Sequence, residues 1–273
     1  MWEFLIDQGV QRGIDQAILL AVLVSARMTP VVYLVPYLGG QAMPQPVKMG
    51  ISVALTILVY PAVWQMGAAQ AIPAGALAIS ALILKELVVG LMIGFIAALA
   101  FDALRIAGQL IDVSRGQTMA TAMVPQLKSQ ESVSADLLYQ LGVVVFLLSG
   151  GHRLFLAVLI RSYVMVPPID FPHFGENLQA ITFGIVRLSA DAITLGVLLA
   201  FPVVAAILVS NIMLALVNKT APQINVFFLG MPLKAVLGVA ILLVGLHVVI
   251  ERFLEDAALS VEHVLRLLEL MQP

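Results

Sequence analysis

Two apolar stretches, Gly75–Ile111 and Leu178–Val217, constrain this chain more than anything else in it. Each runs far beyond the roughly 20 helical residues that cross a bilayer core. At about 1.5 Å of rise per residue they must overshoot a membrane or bend, and Pro202 is a ready bending point in the second. Further apolar blocks run over Ile14–Leu38, Gly50–Met66 and Pro232–Leu254. No period-two alternation is sustained in any of them, so all read as α-helix. Leu137–Leu148 and Leu154–Val166 are each too short to span, and Gly150-Gly151-His152 separates them. Together they read as a re-entrant or buried hairpin.

Charge fits a membrane protein: 11% of the residues are charged and 61% hydrophobic, where a soluble domain carries about 25% charged residues. A net charge of −2 gives no electrostatic case for nucleic acid. With no cysteine there is no disulfide framework, thiolate metal site or cysteine nucleophile. Glu3 and Asp7 stand where a cleavable signal would be basic. The cations near the ends of the spans divide six against five between alternate sides, Lys48, Arg105, Arg115, Lys128, Lys219 and Lys234 against Arg12, Arg153, Arg161, Arg252 and Arg266, so the positive-inside rule sets no orientation. That balance suits a subunit shielded by neighbours. No GxSxG elbow, Walker A loop or HExxH occurs, and His152, His173, His247 and His263 lack ligand spacing. The expectation is no enzyme, no cofactor and no metal.

Polar segments punctuate the apolar ones. Asn218–Lys234, NKTAPQINVFFLGMPLK, lies between two membrane-length blocks and must face water or be buried in protein. Pro222 and Pro232 are expected to break helices there. In the third block Glu86, Gly90, Gly94, Ala97, Phe101, Arg105, Gly108, Asp112 and Arg115 recur at steps of three or four, one helical stripe. Gly90 and Gly94 form a GxxxG that lets another helix approach closely. Asp102 with Arg105, and Asp112 with Arg115, are i,i+3 pairs of opposite sign. The stripe reads either as local pairing and close packing or as an inter-subunit seam or wet lumen. Gly116–Gln130, with Pro125 and two methionines, is a plain linker or an adaptable loop. Glu251–Leu270 is amphipathic and is expected to lie on a partner or a membrane interface.

The Asn218–Lys234 string resembles the export-gate family that includes flagellar FliR and injectisome SctT. Asn218, Ala221, Pro222, Gln223, Asn225, Phe227, Gly230, Pro232, Leu233 and Lys234 match the family string, and Lys219 replaces its usual arginine. Arg27, Pro30, Pro36, Gly39, Pro44, Lys48 and Gly50 match near the N-terminus; Glu86, Gly90, Gly94, Phe101, Gly108 and Gly116 match in the third block. Val124-Pro125 departs from the family's frequent Asp-Pro. Ile111-Asp112 with Arg115-Gly116, and Ser149-Gly150-Gly151 before Arg161-Ser162-Tyr163, look more like the injectisome branch.

The resemblance implies an all-α, multi-pass integral protein of the bacterial inner membrane, built of long kinked helical hairpins. It implies residues 1–176 like the FliP/SctR subunit and 177–273 like a FliQ/SctS hairpin, with 218–234 as its tip loop. It further implies one copy in a type III secretion export gate, beside FliP/SctR-type and FliQ/SctS-type subunits, with a FlhB/SctU-type switch protein at the entrance and unfolded secreted proteins as cargo. Ala221, Pro222, Gln223, Asn225, Phe227, Gly230, Pro232 and Lys234 would form the entrance and partner contact. Residues 116–126, with Gly116, Thr118, Met119, Met123 and Pro125, would be a plug loop. Glu86, Gly90, Gly94 and Gly108 would be a helix-packing seam. An independent membrane transporter or channel is the alternative.

Overall fold

In the computed structural model the described residues are 2–40, 43–67, 75–117, 132–171, 174–223 and 225–271. They form seven helices: α1 (Trp2–Leu34), α2 (Gln45–Gly67), α3 (Ala76–Arg115), α4 (Val133–Leu148), α5 (Gly151–Met165), α6 (Phe174–Thr220) and α7 (Val226–Glu269). The all-helical expectation holds throughout them. Five, led by α3, α6 and α7, are long and apolar enough to cross a membrane. The chain divides into two compact units: residues 1–98, 150–186 and 259–273, and residues 99–149 and 187–258.

In the first unit α2 packs back on α1. Thr29 and Ser52 hydroxyls meet at 3.1 Å, and Tyr60 donates to the Ala17 carbonyl at 3.2 Å. Gly39 sits in the turn after α1, where a Cβ would drive into the Val32 carbonyl. Tyr37, in the same turn, sets its ring edge-on to Phe155 at 5.6 Å. Burial pushes its phenol pKa up, so the hydroxyl stays protonated. The N-terminal part of α3 lies against α1 at Gly90 and Gly94. A Cβ on Gly90 would meet the Arg27 carbonyl and Pro30, and one on Gly94 would meet Leu34 and Val31. The close approach made by this GxxxG is therefore within the chain.

In the second unit the C-terminal part of α3 packs on α4 with almost no gap. A Cβ on Gly108 would strike the Ala135 backbone. Phe101 packs edge-on to Phe253 at 5.2 Å, Phe146 at 5.4 Å and Tyr139 at 6.4 Å. Edge-to-face geometry suits the ring quadrupoles. Arg105 lies over the Tyr139 ring at 3.9 Å. It forms no ion pair with Asp102 among the described residues, against the i,i+3 expectation.

Two boundaries differ from the sequence reading. Pro232 does not break a helix: it lies inside α7, and the described non-helical residues between α6 and α7 are 221–223 and 225. Glu251–Leu270 is not a separate helix on a partner or membrane surface. It continues α7, and its apolar face, Phe253, Ala257, Val261, Val264 and Leu268, is buried by the chain itself. By contrast the upstream part of α7 leaves Val236, Leu243 and Val244 exposed. Only 17% of its most apolar window is buried, against 67% for α3. A helix so apolar and so bare requires lipid or other chains around it.

Candidate functional site

Charged groups gather at two places. The first, in the first unit, is built by α1, α3 and α5. The Arg27 guanidinium binds both Glu86 carboxylate oxygens, Nε to Oε2 at 2.6 Å and Nη2 to Oε1 at 2.9 Å. It also donates to Ser162 Oγ at 3.0 Å and to the Val166 carbonyl at 2.7 Å. Its flat face rests on the Tyr163 ring at 4.1 Å. Lys85 shares the same carboxylate at 2.8 Å and donates to the carbonyls of Pro167, Pro168 and Asp170. Both cations thus meet carbonyls at the C-terminal end of α5. These carbonyls belong to Val166, Pro167, Pro168 and Asp170, in the non-helical stretch just after α5, where the helix dipole favours positive charge. Pro167 and Pro168 cannot supply a backbone N–H, so a side-chain donor has to come from elsewhere.

Arg27 and Glu86 are fully buried, and Lys85 nearly so. A carboxylate, a guanidinium and an ammonium with their polar atoms this well bonded make a structural anchor rather than a relay. Sequence reasoning placed Arg27 and Glu86 in separate motifs and did not pair them. The signal was present: an arginine and a carboxylate, each within a strongly apolar stretch of helix, must find partners.

The second place is a cleft of about 620 Å³ in the second unit, lined by Asn211, Leu214, Ala215, Asn218, Pro222, Gln223, Asn225, Val226, Phe227, Gly230, Met231 and Lys234 from the tip, and by Arg115 and Gly116. The hairpin arms approach because Gly230 lacks a side chain; a Cβ there would meet Leu214 at 3.0 Å. Asn225 caps α7, its Oδ1 accepting from the Phe228 N–H at 3.4 Å. Most of the entrance residues named from sequence therefore border one cleft: Pro222, Gln223, Asn225, Phe227, Gly230 and Lys234 do, and Gly116 joins them. Pro232 faces a neighbouring apolar cleft of about 590 Å³ that shares Arg115, Gly116 and Met231. Arg115 and Asn211 were missed as cleft residues, because nothing local in the sequence links them to the tip.

Asp112 holds the Arg115 wall in place. Its buried carboxylate accepts from Ser132 Oγ at 2.7 Å, the Ser134 N–H at 2.8 Å, Ser134 Oγ at 2.6 Å and Arg115 Nη1 at 3.2 Å. Gln117, with its amide nitrogen turned to the carboxylate, adds contacts at 3.0 and 3.3 Å. Gly116 adopts φ +85°, a left-handed conformation that frees the chain from α3 and favours glycine. Thr118, Met119, Met123 and Pro125 lie outside the described residues. Among the described residues no group of histidine and carboxylate side chains could hold a metal ion.

A family profile described as "Bacterial export proteins, family 1" matches residues 18–259. The Yop proteins translocation protein T of Yersinia pestis is 35% identical over 198 residues, 72% of this chain and 74% of that protein. The flagellar biosynthetic protein FliR of Caulobacter vibrioides is 28% identical over 226 residues, 83% of this chain and 88% of that protein. The secretion system apparatus protein SsaT of Salmonella typhimurium is 32% identical over 179 residues, 64% and 67% of the two chains.

Proposed function

The chain belongs to the FliR/SctT family of export-gate components of type III secretion systems, and we propose that it is the single-copy subunit that helps to form the protein-conducting pore of such a gate. By that membership it is a multi-pass protein of the bacterial inner membrane and a structural component, not an enzyme. The partners in this reading are FliP/SctR-type and FliQ/SctS-type subunits and a FlhB/SctU-type switch protein, and the cargo is unfolded secreted protein. Residues 1–176 would play the FliP/SctR-like part and residues 177–273 the FliQ/SctS-like part. The 218–234 tip would take the entrance position, and 116–126 the plug position. An injectisome relative is 35% identical and a flagellar relative 33%, so the injectisome branch rests on the motifs quoted above.

The observation that carries the reading is the bareness of α7. Leu243 and Val244 are 63% and 87% exposed in a helix that a lone soluble chain could not tolerate. Purification in mild detergent from its own cells tests it. The tagged chain should co-purify with other export-apparatus subunits, and its deletion should stop secretion. A stable homogeneous monomer that moves a solute by itself would establish the transporter alternative instead.

A further inference from the structure

Helix α5 has two faces of different chemistry. Phe155, Val158, Leu159, Ser162, Tyr163 and Met165 are buried. Two hydrogen bonds fix that face on α1: Ser162 Oγ accepts from Arg27 at 3.0 Å, and the Tyr163 hydroxyl donates to the Val24 carbonyl at 3.2 Å. The rotation of the helix is thereby set. At about 100° per residue, Arg153, Leu154, Ala157, Ile160, Arg161 and Val164 fall on one opposite arc of about 120°, and all six are exposed. Leu154 and Val164 are 50% and 56% exposed, and Phe171, just beyond the helix, also 50%. Arg153 and Arg161 make no ion pair or hydrogen bond among the described residues, and α5 itself contains no carboxylate.

Water alone would leave Leu154, Ile160, Val164 and Phe171 bare beside one another. The bilayer core would strip two unpaired guanidiniums of their hydration, which is costly. A close-packed partner helix needs small residues at the contact, and this face offers only Ala157. The headgroup layer satisfies both kinds of side chain. There the apolar groups enter the acyl boundary, the arginine stems run along it, and the guanidiniums reach phosphate oxygens in the paired geometry that suits them. The length of α5 agrees: its 15 residues cover about 22 Å, short of the roughly 30 Å of a bilayer core. Eight residues separate the two arginines, about 12 Å along the axis, so each can take its own phosphate. We propose that the outer face of α5 lies in the headgroup layer of the membrane and seats anionic phospholipid, one phosphate at Arg153 and one at Arg161. The inference rests on the membrane location of the chain and not on which subunits surround it.

The test uses the tagged chain, with whatever subunits co-purify, in phosphatidylcholine nanodiscs doped with a spin-labelled lipid. The chain has no cysteine, so Val164→Cys gives a single site for a fluorophore at a half-exposed position, and Leu154→Cys gives a second. The nitroxide is carried near the headgroup, on phosphatidylglycerol or on phosphatidylcholine. With two arginines on the face, the anionic lipid should quench at a mole fraction about thirtyfold lower than the neutral one. That preference should disappear when Arg153→Gln and Arg161→Gln are combined, and each single variant should lie between. Equal quenching by the two lipids with both arginines present overturns the anion seat. Absence of quenching by either puts protein or water over the face and overturns the proposal. Stronger quenching from a nitroxide at the acyl-chain end places the face in the bilayer core and equally overturns it. The gate reading is decided separately, by the co-purification itself.

Discussion

Arg27 holds Glu86 with two charge-assisted bonds, of 2.6 and 2.9 Å, and neither side chain has any exposure to solvent. A pair buried this deeply is costly to break from one side, about 3–5 kcal/mol, because the orphaned charge stays behind. Glu86 also serves Lys85, so two cations depend on one carboxylate. Glu86→Gln should strand both and sharply lower the amount of chain in the membrane. Lys85→Met should do less harm: it keeps the Arg27 pair and removes one donor from three carbonyls. Arg252→Ala, in a pair whose side chains are 65% and 55% exposed, should stay within about 1 kcal/mol. Membrane levels and the thermal aggregation midpoint of the purified complex measure this order; Lys85→Met proving worse than Glu86→Gln would refute it.

Four glycines make a graded series. A Cβ on Gly90 or Gly108 would overlap backbone, on Gly94 it would meet Leu34 and the Val31 backbone less tightly, at 3.0–3.2 Å, and on Gly245 it meets nothing within 4 Å. Overpacking costs about 1–3 kcal/mol where neighbours can shift. Gly90→Ala and Gly108→Ala should therefore reduce folded chain most, Gly94→Ala less, and Gly245→Ala least. Protease resistance in native membranes reads the series, and equal resistance across all four would show that the tight approaches carry no stability.

At the tip, Asn225→Ala should leave assembled complexes at normal levels and lower secretion. Its capping bond is long, 3.4 Å, so the loss of helix stability should fall below about 1 kcal/mol. Asn225→Ser keeps a capping oxygen but not the NH₂, and should be nearly as defective. Full secretion in Asn225→Ser would move the role of this residue from contact to capping.

Deleting Thr118–Met123 should leave assembly intact and let ions and small solutes leak, since an apolar filler closes a pore by excluding water. Exchanging Met119 and Met123 for Ala should leak less. Tight membranes in the deletion, at confirmed complex levels, would assign closure to other subunits.

The helices were legible because lipid-facing chain is apolar on all sides, and the run Ala76–Arg115 declares itself with no knowledge of its neighbours. The helical stripe carries Asp112 and Arg115 past the apolar run, and their charges are satisfied there by each other and by Ser134. What could not be read was the helix through Pro232. Pro232 is the seventh residue of α7, beyond the first turn, so the helix continues through it at the cost of one backbone hydrogen bond. The cleft was half legible: the tip string showed that a special surface existed, but Arg115 and Asn211 reach it only through tertiary packing. The pairing of Arg27 with Glu86 stayed hidden because 59 residues separate them.

Native mass spectrometry of the complex captured through a tag on this chain tests the central claim most directly. The account predicts one copy of this chain with several copies of two other helical membrane subunits. A particle containing this chain alone, as monomer or homo-oligomer, with secretion intact in its absence, would contradict it.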